Sequence, residues 1–339
     1  MNAKLESRPE LHAITATPQT PPHPGMVWIP GGTFQMGSDK FYPEEQPVHK
    51  VTVDGFWIDQ YTVTNEEFHR FVEQTRYVTF AERPPKAEDY PGAKPELLVP
   101  ASVVFRMPKR RVDLTNCFNW WTYIPGADWR HPDGPESSLK DRAKHPVVHV
   151  AFEDVDAYAR WIGKELPTEA EWEFAARGGI DGADFVWGND FTPRGTHMAN
   201  TWQGEFPWQN LKTDGFDGTA PVRSFPANGY GLYEMAGNVW EWTTDWFQEH
   251  HQIERACCGS LNPRGGESET SYDPRQPNIR IPRKVMKGGS YLCAPNYCRR
   301  YRPAARMPQP IDTSTCHLGF RCIVRPNDAA TERSQTQIE

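Results

Sequence analysis

The sequence predicts an α+β fold: a single irregular domain, rich in loops, over residues 26–325, between tails at 1–25 and 326–339. Three observations carry that expectation. Helical spacing of apolar residues recurs behind capping-box signatures, and several short runs alternate as half-buried strands do. The third is punctuation, since 32 Pro and 26 Gly keep regular elements short. No linker and no internal repeat divides the 339 residues, so one large domain fits better than two.

Taken in order, Met26 to Ser38 has the pattern strand, tight turn, strand, with Pro30-Gly31-Gly32 between the apolar runs. Val51, Val53 and Phe56 predict a further strand within 48–58. Thr64 and Glu67 form a capping-box pair ahead of Phe68, Phe71 and Val72, which predicts a helix. Residues 81–145 lack periodicity and are expected to be a long irregular insertion. Val155, Tyr158, Ala159 and Ile162 follow the i, i+3, i+4, i+7 stripe of a second helix. Thr168 and Glu171 open a third, which Gly178-Gly179 closes. Beyond residue 180 the chain is short strands, glycine turns and aromatic residues.

Composition excludes several classes. Thirteen Trp, 17 Phe and 12 Tyr supply a core, while a net charge of −7 gives no reason to expect nucleic acid. No run approaches the roughly 20 apolar residues that cross a bilayer, so no membrane partner is expected. Residues 1–25 carry no signal-peptide pattern and are expected to be a disordered tail. Seven cysteines, an odd number without a secretion signal, fit a reducing compartment, and cytoplasmic residence is the expectation.

Two of those cysteines carry the chemistry. Cys293 and Cys298 lie five residues apart, between Gly288-Gly289-Ser290-Tyr291 and Arg299-Arg300. A straight strand separates such a pair by about 16 Å, and a helix sets them roughly 140° apart. They converge only if the chain turns back, and Pro295-Asn296 suits positions i+1 and i+2 of a β-turn. On spacing alone the pair is either a functional dithiol or two buried small hydrophobes. The adjacent Cys257-Cys258 is expected to be structural, His250-His251 a solvated loop pair, and His145 and His149 satisfied core or turn residues. Arg299, Arg300, Arg302 and Arg306 suit buried carboxylates.

Several segments together resemble the formylglycine-generating enzyme (sulfatase-modifying factor) family, in its bacterial type. They are Met26–Ser38, 145–150 (His-Pro-Val-Val-His-Val), 166–173 (Leu-Pro-Thr-Glu-Ala-Glu-Trp-Glu), 202–207, 228–233, 237–242 and the closing Leu318-Gly319-Phe320-Arg321. The narrower match is Gly288-Gly289-Ser290-Tyr291-Leu292-Cys293 with Cys298-Arg299-Arg300-Tyr301-Arg302, the setting of the family's two active-site cysteines. Non-catalytic paralogues share the fold without the pair.

The resemblance implies a C-type-lectin-like fold and an aerobic, copper-dependent oxidase. Its substrate is the cysteine of a Cys-x-Pro-x-Arg segment in an unfolded sulfatase, which becomes Cα-formylglycine. O2 is the acceptor, and a reductant or thiol is the electron source. Cys293 and Cys298 then bind Cu(I), a soft ion that favours sulfur. Ser290 matches a family active-site serine, and Trp242 and Tyr297 match walls of the pocket. The resemblance also implies structural Ca2+ at Asn200, Thr201, Asp214 and Phe216, and again at Gly237, Val239 and Glu241 with Ala236 or Asn238. Ala159, Ala176 and Pro303 stand where secreted animal members place disulfide cysteines, and Cys322 keeps one such place without its partner.

Two other functions compete. One is a catalytically silent, lectin-like module that binds peptides or glycans, against which both retained cysteines argue. The other is an iron-dependent enzyme joining sulfur to histidine derivatives, for which the chain lacks a helical histidine cluster.

Overall fold

The computed structural model describes residues 20–251 and 259–326, so most of the expected tails and Cys257-Cys258 lie outside the described residues. Residues 20–25 are described and lead into the fold, where the Gly25 carbonyl accepts from Gln60 N.

The opening strands β1 (Met26–Ile29) and β2 (Gly32–Met36) form as expected, but they do not pair with each other. Gly31 between them has φ +70°, and a Cβ there would meet Val53 O at 2.6 Å, so the turn requires glycine. Residues 48–58 hold two strands rather than one, β3 (His49–Val53) and β4 (Phe56–Asp59). Gly55 breaks the run because the Trp28 ring packs onto its Cα, leaving only 2.4 Å for a Cβ. The break sends β3 to β2 and β4 to β1, each pair antiparallel.

Three helices follow the capping chemistry of the sequence. In α1 (Asn65–Thr75), Thr64 Oγ1 accepts from Glu67 N while Glu67 Oε2 accepts from Thr64 N at 2.8 Å. Helix α2 (Phe152–Trp161) starts instead on Asp154, whose carboxylate accepts from Ala151 N at 2.8 Å. Helix α3 (Glu169–Arg177) opens on the Thr168–Glu171 box and ends at Gly178 with φ +57°. Every residue of α3 is buried, although four are charged. Ion pairs compensate: Glu169 with Arg306 and Lys287, Glu173 with Lys287 and Arg177, and Glu171 with Arg325.

The irregular insertion expected at 81–145 contains a hairpin, β5 (Ala101–Phe105) against β6 (Trp121–Pro125). The long connection between the two strands hid their pairing from the sequence. A four-stranded sheet holds β7 (Trp240–Trp246), β9 (Arg283–Lys287), β10 (Arg306–Pro310) and β11 (Leu318–Gly319), in the order β10-β9-β7-β11. Short β8 (Ser260–Leu261) joins β3, and β12 (Ile323–Val324) joins β4.

One apolar cluster fills the space between α1, α2 and the four-stranded sheet; it includes Trp242, Cys293, Cys298 and Tyr301. A second packs α3 against β1 to β4. Among the described residues no helix is long and apolar enough to cross a membrane. His251 corrects the expectation of a solvated pair. Its ring lies 4.8 Å from that of His49, and burial pushes its pKa down to about 3, whereas His250 is exposed.

Candidate active site

Strand β9 delivers the chain to the dithiol through two glycines in left-handed conformations, Gly288 at φ +92° and Gly289 at φ +72°. A Cβ on Gly289 would meet Arg300 O at 2.7 Å, so only glycine lets the outgoing and returning chain touch. Ser290 O accepts from Cys293 N at 2.9 Å, and Ser290 N points at Cys293 Sγ at 3.4 Å. The Pro295-Asn296 turn forms where the sequence placed it: Ala294 O accepts from Tyr297 N at 3.1 Å and from Cys298 N at 2.9 Å. That reversal brings Cys293 Sγ and Cys298 Sγ to 3.2 Å, both as free thiols and both buried.

The two sulfurs are not equivalent. The hydrogen bond from Cys293, and after it the charge and hydrogen bonds of Arg300, hold the Cys298 thiol below its ordinary range. Burial and the neighbouring Cys298 push Cys293 well above it. The pair therefore favours one thiolate, on Cys298, with the proton retained on Cys293. Arg300 is fixed in turn by Glu44, whose Oε1 accepts from its Nε at 3.2 Å and from its Nη2 at 2.5 Å, with the Tyr42 ring 3.8 Å beneath the guanidinium. One step on, Arg302 donates twice to the fully buried Glu45. The segment 41–45 thus braces the thiolate from more than 250 residues away in sequence.

Ser290 is fully buried, and its Oγ accepts from Leu292 N at 3.3 Å. Trp242 is a core residue: it is fully buried, with its indole donating to Val150 O at 3.1 Å. Tyr297 stands at the rim, 40% exposed, its ring stacked on Phe206 at 4.5 Å and edge-on to Trp120 at 5.4 Å. The predicted core role of His149 is what the fold displays: Nδ1 meets Ser102 Oγ at 2.7 Å and Nε2 meets Pro132 O at 2.8 Å.

With this geometry in place, comparison with known proteins is informative. The model of the sulfatase-modifying factor enzyme 1-like domain matches residues 12–326. The chain belongs to that family. The formylglycine-generating enzyme of Mycobacterium tuberculosis is 51% identical over 304 residues, covering 89% of this chain and 98% of its own. That of Thermomonospora curvata is 47% identical over 307 residues, covering 89% and 94%. An inactive Cα-formylglycine-generating enzyme 2 from Mus musculus is also similar, 38% identical over 309 residues and covering 88% and 85%. Among solved structures, PvdO from Pseudomonas aeruginosa superposes with a TM-score of 0.59 at 22% identity, covering 88% and 94%, which supports the fold alone.

Other family segments buttress the dithiol loop. Trp202 N donates to Cys293 O at 3.0 Å, Tyr291 N to Asn238 O at 3.0 Å, and Asn238 N to Asn200 O at 2.8 Å. The first predicted calcium set converges beside them. Asp214 Oδ2 accepts from Thr201 N at 3.2 Å, and Oδ1 accepts from Phe216 N at 3.1 Å. The Asn200 amide nitrogen donates to Gly218 O at 2.9 Å, which leaves its Oδ1 as the acceptor end. In the second set Asn238 clasps Ala220 through both side-chain atoms, and Ala236 packs into the α3 core. Glu241 is already balanced by Arg321, which donates to both oxygens at 2.7 Å. Gly237, at φ +71°, sits so close to Asn200 O that a Cβ there would lie 2.2 Å away. Among the described residues no three His, Cys, Asp or Glu side chains cluster as a metal site.

Sequence reasoning missed Tyr42, Glu44 and Glu45 as parts of the site. Their only local signal is acid beside aromatic, and the partner arginines lie in the last fifth of the chain.

Proposed function

We propose that this protein oxidises the cysteine of a Cys-x-Pro-x-Arg segment in an unfolded sulfatase to Cα-formylglycine, using O2. The observation that carries the reading is the buried pair of free thiols, 3.2 Å apart and unequal in proton affinity. Relatives named as formylglycine-generating enzymes, similar over nearly their whole length, support it.

The donor set fits Cu(I). Two soft sulfurs face each other in an apolar cluster, and among the described residues no cluster of three His, Cys, Asp or Glu offers a competing site. Bound Cu(I) would supply the one-electron redox chemistry that side chains lack. Cys298, whose thiol is lowered by the hydrogen bond from Cys293 and then by Arg300, would hold the ion as a thiolate, and Cys293, pushed up by burial, would be the second ligand once its proton is lost. The backbone N–H of Ser290 aims at Cys293 Sγ and fixes its direction. Both sulfurs lie in the apolar cluster that also holds Trp242, Tyr301 and Met286, and such surroundings would keep water from them. In the overall balance the substrate cysteine loses two electrons and two protons at Cβ and sulfur, giving a thioaldehyde. A thiol or other reductant supplies two further electrons, O2 becomes two waters, and hydrolysis of the thioaldehyde releases sulfide.

The proposal extends to structural calcium. Asp214 has no cationic partner among the described residues, and its carboxylate, a hard oxygen donor, meets only the N–H groups of Thr201, Gln203 and Phe216, a charge that Ca2+ would balance. Gly237, Val239 and Glu241 form the second candidate. Reduced, buried thiols fit a cytoplasmic setting.

The deciding experiment incubates a Cys-x-Pro-x-Arg peptide with the protein, Cu(I), O2 and a thiol reductant, and reads the product by mass spectrometry. Aldehyde should form with native protein and fail with Cys298→Ser. No aldehyde under copper-replete, aerobic conditions refutes the proposal and favours a silent binding module.

A further inference from the structure

The turn between the two cysteines has a buried base and an exposed tip. Cys293, Ala294 and Cys298 are buried, whereas Pro295, Asn296 and Tyr297 are exposed. Within the turn, Tyr297 N and Cys298 N both donate to Ala294 O. Holding an exposed tip in one conformation costs chain entropy, which contacts from outside the turn must offset.

The loop 202–206 grips the turn at two points. At the incoming end Trp202 N donates to Cys293 O at 3.0 Å. At the tip the Asn296 side chain closes on a single residue of the loop. Its Oδ1 accepts from Phe206 N at 3.3 Å, and its Nδ2 donates to Phe206 O at 3.2 Å. These bonds use both ends of one amide, so they fix the rotation of the tip as well as its distance from the loop. Phe206 is a firm anchor, buried with its ring edge-on to Trp202 at 5.3 Å and to Trp120 at 5.5 Å. Beyond the turn, Arg299 N donates to the Tyr42 hydroxyl at 3.0 Å. The chain on either side of Cys298 is therefore held by a distant part of the fold.

We propose that Asn296 is a positioning residue of the dithiol: by clamping Phe206 it keeps the turn closed and Cys298 against Cys293. The inference rests on reading the pair as the working site of the proposed oxidase. Asn296 acts through the backbone, with Tyr297 alone between it and Cys298. The clamp needs a donor and an acceptor on one short side chain. Ala supplies neither, and Asp keeps an acceptor for Phe206 N but sets a carboxylate against Phe206 O. Loss of two hydrogen bonds at a partly exposed site should make the closed arrangement about tenfold less populated.

How readily two thiols join measures how closely they are held. Copper-free protein is equilibrated at neutral pH with oxidised and reduced dithiothreitol. Cys293 and Cys298 lose two electrons and two protons to oxidised dithiothreitol, giving their disulfide and reduced dithiothreitol. Alkylation of the remaining thiols and mass spectrometry of the segment carrying both cysteines read the equilibrium constant. In Asn296→Ala the constant should fall about tenfold, which raises the potential of the pair by about 30 mV. Asn296→Asp should show a similar fall, and it serves if the alanine variant does not fold. Asn262 is a matched control beside β8, since its Oδ1 accepts from Asp54 N at 2.8 Å and its Nδ2 donates to Asp54 Oδ2 at 2.6 Å. Asn262→Ala should leave the constant within about twofold of native, as a change away from the turn does. A fall of less than about threefold in either folded Asn296 variant overturns the proposal, as does an equal fall in Asn262→Ala. The measurement needs only the thiols, so it decides the clamp even if no peptide is oxidised, an outcome in which the oxidase reading fails by itself.

Discussion

Replacing Glu45 by Gln tests whether the segment 41–45 holds the thiolate loop in place. Glu45 is fully buried and receives two hydrogen bonds from Arg302, itself buried with its guanidinium 3.7 Å over the Phe41 ring. The amide keeps the shape and removes the counter-charge, stranding a guanidinium that cannot lose its proton. Breaking a buried pair in this way costs about 3–5 kcal/mol. With an unfolding entropy of about 2.1 cal/mol/K per residue over about 300 residues, each kcal/mol lowers Tm by about 1.6 °C. The expected fall is therefore about 5–8 °C by differential scanning calorimetry at neutral pH. A double variant, Glu45→Leu with Arg302→Met, should recover most of it, because well-packed apolar pairs replace buried ion pairs at little cost. A drop below about 2 °C for Glu45→Gln, or a double variant no better than the single one, refutes the bracing argument.

Other consequences are open to measurement. Cys293→Ser should abolish turnover while retaining weaker Cu(I) binding than the native pair, because Cys298 remains; equal affinity in a competition titration with a Cu(I) chelator would contradict the shared site. Asp214→Ala should lower Tm in calcium and have little effect in EDTA, and an unchanged Tm in excess calcium counts against that site. His149 is buried neutral, with burial pushing its pKa down to about 4 from an ordinary 6.5. The unfolded chain therefore binds the extra proton between those values, and the contribution is present above pH 6.5 and lost as pH falls to 4. The stability of native protein relative to His149→Gln should shrink by about 3 kcal/mol over that window in urea titrations. A pH-independent difference would mean that His149 does not titrate as the fold implies.

How much of this was legible in the sequence depends on the range of each interaction. Capping boxes at Thr64 and Thr168 and the Pro295-Asn296 turn are local, and the folded chain reproduces them. The split at Gly55 was not legible, because it depends on the Trp28 ring packing against that glycine. The hairpin at 101–125 was missed for a related reason, since β5 is also held by Val103 N donating to Ser314 O, far along the chain. Within the site, the cysteines and Ser290 announce themselves by motif. Their electrostatic partners do not, because Glu44 and Glu45 acquire meaning only once Arg300 and Arg302 are folded against them. Trp242 announces itself by motif as well, and the fold buries it in the same apolar cluster as the two cysteines.

Strand β4 lies between the first strand and the last, with β12 at Ile323–Val324 pairing against its free edge. During synthesis such a sheet stays incomplete until nearly the whole folded region has been made. The dithiol is similarly unfinished, because its arginines must find acids near the start of the chain. A protein proposed to work on polypeptides before they fold is thus one whose own redox centre matures late, which shields a reactive thiolate pair from assembling on a nascent fragment.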